Sequence, residues 1–256
     1  MTTARRVRRP RTARDVGARR SPAFYAPGAG DGGWRAWLSL LHPPYTAWHL
    51  SYVAIGAALA HPIRLDRLGW SLLGFFLAMG VGAHALDEVH GHPLRTGLPD
   101  WWLRAVAVAA VTGAVADGWL VGGLHLVPFM VVGVVLVLGY NLEWFGGVLH
   151  NTAGFGAAWG AFPLLTGYFV QHWMLSPASW IAALAAFGLS VAQRTLSTPA
   201  RWIRRSLADV TAVAEHPDGT TQHLSSSELL RPLEVALRVM SWSMVVLAVA
   251  LVVAAR

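Results

Sequence analysis

Between residues 37 and 254 the chain is a succession of apolar runs separated by short polar breaks, and this limits its fold more than any other feature. About 20 apolar residues are needed for a helix to cross the hydrocarbon of a bilayer. In lipid the backbone can satisfy its own polar groups only as a helix or a closed barrel. The runs are continuous instead of alternating with a period of two, so helices are the expected form. Spans are predicted at 45–60, 68–86, 101–116, 121–140, 148–170, 177–191 and 232–255. The expected fold is all-α and membrane-embedded, a bundle of about seven transmembrane helices. Residues 34–195 would form its core, 196–230 a cytosolic loop insert and 231–256 the last helix.

Charge sets the orientation. Eight arginines fall within the first twenty residues, and 27–33 is rich in Pro and Gly. Residues 1–33 therefore read as a disordered basic tail that would hold the N-terminus in the cytosol and attract anionic lipid. With that orientation the inner loops hold Arg95, Arg194, Arg201, Arg204 and Arg205, whereas the outer loops hold only Arg64 and Arg67. This agrees with the positive-inside rule. No motif points to nucleic acid. The chain has no cysteine, which excludes disulfides and thiolate metal ligands. It also has no lysine, which excludes Schiff-base chemistry. Within the insert, His216-Pro217-Asp218-Gly219 reads as a turn and Ser225 with Glu228 as a capping box that starts the last helix.

The polar residues at the ends of the spans are the candidates for chemistry. The stretch 82–97 places three histidines, Asp87, Glu88 and Arg95 directly after an apolar run, where ionisable groups are expensive and point to function. In a helix His84, Asp87 and Glu88 share one face, by their i, i+3, i+4 spacing. A histidine and two carboxylates so arranged can ligate a divalent cation. Oxygen ligands suit Mg2+, and an added imidazole extends the set to Mn2+, Fe2+ or Zn2+. Arg95 can grip a phosphate with two hydrogen bonds. A second group is Tyr140, Asn141 and Glu143, followed by His150 and Asn151. Glu143 is a candidate ligand, general base or cation stabiliser, and His150 and Asn151 are candidates to face a cavity. Among the arginines after the sixth span, Arg194 is nearest the membrane and is the candidate contact to an anionic substrate such as a diphosphate. Trp48, Trp144, Trp159 and Trp173 are candidates to line an isoprenoid pocket through their π faces. Structural roles compete with each of these: helix ends, interhelical hydrogen bonds, a positive-inside stop signal and an interfacial tryptophan belt.

Three stretches, in order, resemble the UbiA superfamily of intramembrane prenyltransferases and related terpene cyclases. The first is Leu41-His42-Pro43-Pro44-Tyr45-Thr46, similar to the family's Arg-Pro entry. The second is the acidic motif ending in Pro93-Leu94-Arg95-Thr96-Gly97. The third is Tyr140 to Gly147 with Asn151-Thr152-Ala153-Gly154 and Pro163-Leu164-Leu165-Thr166-Gly167-Tyr168. The resemblance covers roughly residues 40–195. It implies a helical fold with two carboxylate clusters holding Mg2+ on an isoprenyl diphosphate, so that the metal draws off the leaving group. It also implies Asp87 and Glu88 on the metal with His84 as an added ligand, Arg95 and Arg194 on phosphate, and Tyr140, Asn141 and Glu143 near the reacting carbon. The sequence departs from the family where His84 stands at an aspartate position and where Gln193-Arg194-Thr195 stands near the second acidic motif. Prenyl transfer, terpene cyclisation, transition-metal chemistry on the same helices and lipid binding without turnover all remain open. The expected partners are an isoprenoid or other lipid and the membrane itself.

Overall fold

The computed structural model describes residues 21–26, 33–207 and 210–256. Among the described residues the first helices are α1 (Trp34–Leu40) and α2 (Pro43–Leu59). Pro43 and Pro44 start α2 at positions where a missing N–H costs nothing. Next comes α3 (Leu65–Phe75), which runs through a π-helical stretch, Phe76–Ala83, into α4 (His84–Val89). Gly123, at φ 51°, ends α5 (Asp100–Gly122), and a 3-10 turn leads into α6 (Val127–Asn141). The turn folds α6 back along α5, so that Ala107 and Val137 meet in one core cluster. After the single turn α7 (Trp144–Gly147), α8 (Thr152–Gly156) passes through a second π-helical stretch, Ala157–Ala161, into α9 (Phe162–His172). The long α10 (Pro177–Arg205) and α11 (Ser226–Ala254) close the bundle.

Three stretches are long and apolar enough to cross a membrane: Leu65–Val89, Asp100–Asn141 and Ser226–Ala254. The expectation of about seven such spans is not met. Helix α2 has 17 residues, short of a full span, and the continuous run from Thr152 to His172 is long enough but ends in the polar Gln171 and His172. The longer α10 carries a polar seam of Ser190, Gln193 and Ser197 and ends in arginines. Residues 100–141 form one apolar stretch divided by the Gly123 turn. The outward surface is nonetheless greasy. Val108, Leu120, Ile181, Leu184, Val246 and Val253 all point away from the protein. So much exposed hydrocarbon suits lipid and is unusual against water.

Helix α2 is the central element, packed by α9 and α11. At its crossing with α9, Gly56 faces the Leu164 carbonyl and Gly167 faces the Val53 carbonyl, so the two backbones touch. Small residues commonly permit such approach between membrane helices.

The region read as a loop insert is mostly regular. Helix α10 continues past residue 191 to Arg205 because Ala200 and Ile203 pack on Leu230 of α11. Pro199 does not end it. A hairpin follows, which the all-α expectation lacked: β1 (Thr211–Glu215) pairs antiparallel with β2 (Thr221–Ser225), Glu215 opposite Thr221. The Asp218 carboxylate accepts from the Thr220 N–H at 2.9 Å and holds the turn. The Ser225–Glu228 capping box forms as its spacing indicates.

Candidate functional site

The candidate site lies where α4 leaves the bundle, α10 ends and α2 begins. Its floor is set by one apolar cluster in which Ala83 and Leu86 pack with Tyr140 and Trp159. On that floor the Arg194 guanidinium donates to the Tyr140 hydroxyl oxygen and stands 5.4 Å from the Phe155 ring centre. The His150 ring stacks on Tyr140 at 4.5 Å, its Nδ1 lies 3.0 Å from the Tyr140 carbonyl oxygen, and Glu143 reaches to 3.9 Å of it. The structure therefore brings Tyr140, Arg194, His150 and Glu143 together. Among the described residues no carboxylate pairs with Arg194.

Beside this group, His84 stacks face to face on His42 at 4.1 Å and points Nδ1 at the Gly80 carbonyl, 3.1 Å away. Asp87 lies half-buried below it, within electrostatic reach of Tyr140, Tyr25 and Arg205. Glu88 is used differently. It is 1 % exposed, and its carboxylate accepts from the Leu94 N–H at 2.9 Å, the Thr96 N–H at 2.8 Å and the Thr96 hydroxyl at 2.9 Å. It thereby holds the loop of residues 90–97, with both oxygens engaged in hydrogen bonds. Among the described residues no three His, Asp or Glu side chains gather as a metal-holding group.

The remaining candidates are placed apart. Arg95 donates to the Arg205 carbonyl oxygen at 3.4 Å. Asn141 donates back to the Val137 carbonyl of its own helix at 2.7 Å. Asn151 caps α8, accepting from the Gly154 N–H at 2.8 Å. Trp48 is fully buried in the second core cluster and donates to the Tyr52 hydroxyl at 2.6 Å. Trp144 is 38 % exposed. Trp173 packs against Arg67 and His125, residues outside the site. Of the four tryptophans, Trp159 alone meets the site.

Some of its residues were not legible in the sequence. Residues 21–26 fall within the tail read as disordered, yet they lie packed across this end of the bundle; 1–20 and 27–32 lie outside the described residues. Arg204 and Arg205 donate to the carbonyl oxygens of Ser21 and Pro22, each at 3.2 Å. Arg204 also forms a salt bridge with Glu234. Arg238 stands over the Phe24 ring at 4.9 Å. Tyr25 packs edge-on against Phe24 and Tyr45, and its hydroxyl is hydrogen-bonded to His42 Nδ1 at 2.8 Å. The one signal that could have revealed this was the aromatic pair Phe24-Tyr25 inside an otherwise basic tail.

The Tyr25–His42 contact makes the seal pH-dependent. Burial, and then the positive charge of His84, Arg205 and Arg201, hold the His42 imidazole well below its ordinary value of 6.5. Burial also raises the Tyr25 hydroxyl, which stays a donor. A depressed folded value means that the neutral ring is the stabilising form. Its contribution is complete above about pH 6.5 and is lost as pH falls through the folded value. Hydrogen exchange should therefore show residues 21–26 well protected near neutrality and progressively less protected on acidification. His42→Asn should flatten that dependence, because it removes the group that titrates; an unchanged profile in that variant would count against His42 as its source.

An apolar cavity opens behind this floor. It runs between the two π-helical stretches, with Met79, Val137 and Trp159 at the end nearest Tyr140. Such segments widen a helix locally and occur often at functional sites. The cationic, aromatic group and the hydrocarbon-lined space border the same buried cluster of Met79, Val137, Tyr140 and Trp159. No protein family, curated protein or solved structure matches the chain.

Proposed function

We propose that this chain is a divergent UbiA-like intramembrane enzyme acting on an isoprenoid with an anionic head, a prenyl diphosphate, by prenyl transfer or terpene cyclisation. The observation that carries the reading is Arg194: a guanidinium held by Tyr140 and Phe155, without a carboxylate partner among the described residues, on the far side of the Tyr140–Trp159 cluster from an apolar cavity. The diphosphate lies against Arg194, with Arg201 and Arg205 behind it, and the isoprenoid enters between the π-helical stretches. Arg204 is neutralised by Glu234 and does not take part. In this reading α2, the run from Thr152 to His172 and α10 join the three long apolar stretches, of which 100–141 counts as two helices because it turns at Gly123, in a bundle of about seven. The arginine-rich end, with the N-terminus, faces the cytosol.

A divalent ion fits this site in one form. With Glu88 committed to its loop, Asp87 is the carboxylate left to hold it, and His84 contributes its outer ring nitrogen. Mg2+ takes one or two protein carboxylates and completes its shell with water and substrate phosphate, which matches that donor set. A Zn2+ or Fe2+ centre with several protein ligands does not match it. Bound Mg2+ would neutralise charge on the departing diphosphate. The protein's own residues do the rest: Arg194 fixes the head, Tyr140 positions Arg194, and His150 and Glu143 border the mouth where an acceptor arrives.

The test is diphosphate release by purified protein with Mg2+ and labelled isoprenyl diphosphates of several lengths. Arg194→Gln should lower kcat/KM about a hundredfold, because it removes a charge-assisted contact to phosphate. No release with any chain length would overturn the enzymatic reading. Binding without release, lost in Arg194→Gln, would identify a lipid-binding protein that shares the site but not the turnover.

A further inference from the structure

The cavity carries one ionisable side chain, at the end away from Arg194; Arg67 is also at this end, but its guanidinium donates to the Val170 and Gln171 carbonyls. Asp117 of α5 is 8 % exposed and lines the cavity, and its Oδ1 has no hydrogen-bond partner. Its other oxygen lies against α3, where a Cβ added at Gly74 would stand 2.6 Å from Oδ2. No arginine or histidine acts on it among the described residues. The hydroxyls of Ser71 and Thr166 share the cavity, but each donates to a carbonyl of its own helix, Arg67 and Phe162, at 2.8 Å. They have no proton left for the carboxylate. The chain has no lysine to supply one.

A carboxylate in such surroundings needs a cation or a proton. A purely hydrocarbon occupant would leave it unpaired. The rings of Phe129 and Phe162, 6.1 Å apart, line the same space and offer apolar surface to a hydrocarbon chain. We propose that this end of the cavity is a binding site for a lipophilic amine, whose ammonium seats on Asp117 and whose hydrocarbon lies along the phenylalanines. The ammonium seat lies apart from the phosphate contacts, although both readings place hydrocarbon in this one cavity. Gly74 precedes His84 by ten residues on one continuous helix, roughly 15 Å along it.

The test uses the full chain in detergent micelles and a photoreactive diazirine derivative of a twelve-carbon alkylamine. Mass spectrometry should find the label on peptides covering 71–79, 114–137 or 158–170. Unlabelled dodecylamine should compete at least about tenfold better than dodecanol, because only the amine pairs with the carboxylate. Asp117→Asn should lower labelling by a similar factor. Equal competition by the alcohol overturns the proposal, as does label confined to lipid-facing positions or undiminished in a folded Asp117→Asn protein. The preference of amine over alcohol is read on the wild-type protein, so the test stands even if the variant fails to fold.

Discussion

Replacing Gly167 with alanine is expected to destroy the fold. A Cβ there would collide with the Val53 carbonyl oxygen, backbone that cannot rotate away. The same crossing is closed from the other side, where Gly56 meets the Leu164 carbonyl. Relief would require α2 and α9 to separate, and α2 is also the helix on which α11 packs. Overpacking in a tight core costs about 1–3 kcal/mol when side chains can shift. Here the obstacle is main chain, so the cost should exceed the upper figure. Gly188→Ala in α10 is the control, since nothing lies within 4 Å of a Cβ built there. It should be neutral or stabilising by up to about 1 kcal/mol, the usual gain of alanine over glycine in a helix. Thermal unfolding of the purified variants checks both. A Gly167→Ala protein melting with the wild type would mean that α2 and α9 do not meet as described.

The second large effect separates two neighbouring carboxylates. Glu88→Gln should destabilise the protein by about 2–4 kcal/mol, because the new amide turns an N–H toward a buried donor that has lost its acceptor. Loop 90–97 would then lose its tether, and proteolysis should cut there first. Asp87→Asn should leave stability within about 0.5 kcal/mol of wild type, as expected for a half-exposed side chain that anchors no loop. The same change should abolish diphosphate release, since it removes the carboxylate assigned to the metal. Unfolding curves and turnover, measured on both variants, give opposite patterns if the roles are as stated. A stable Glu88→Gln protein without turnover would reverse the assignment and return Glu88 to the metal.

Much of the fold was legible in the sequence, and the reason is local. Apolar runs mark where helices lie, and Pro43-Pro44, Pro177 and the Ser225–Glu228 pair mark where they begin. These signals depend on residues a few positions apart. Helix ends that rest on packing were misjudged, as for α10, which extends to Arg205 only because Leu230 covers Ala200 and Ile203. The site was half legible. Tyr140, Arg194, His150 and Glu143 were named and do converge. Asn141, Asn151 and Trp48 were named for the right residue types, but each spends its polar atoms within its own helix or the adjoining turn.

The sequence by itself determined a helical, lipid-compatible chain with one arginine group in its first twenty residues and another after the sixth apolar run, because composition and periodicity are properties of contiguous residues. Only the tertiary structure decided what each polar group does. Asp87 and Glu88 are adjacent and chemically alike, yet one opens onto the site and the other is locked to Leu94 and Thr96. Tyr25 meets His42, His49 meets the Trp159 carbonyl, and Asp117 meets no partner at all among the described residues. The role of a buried polar group is set by the partner it finds, and that partner comes from a distant part of the chain.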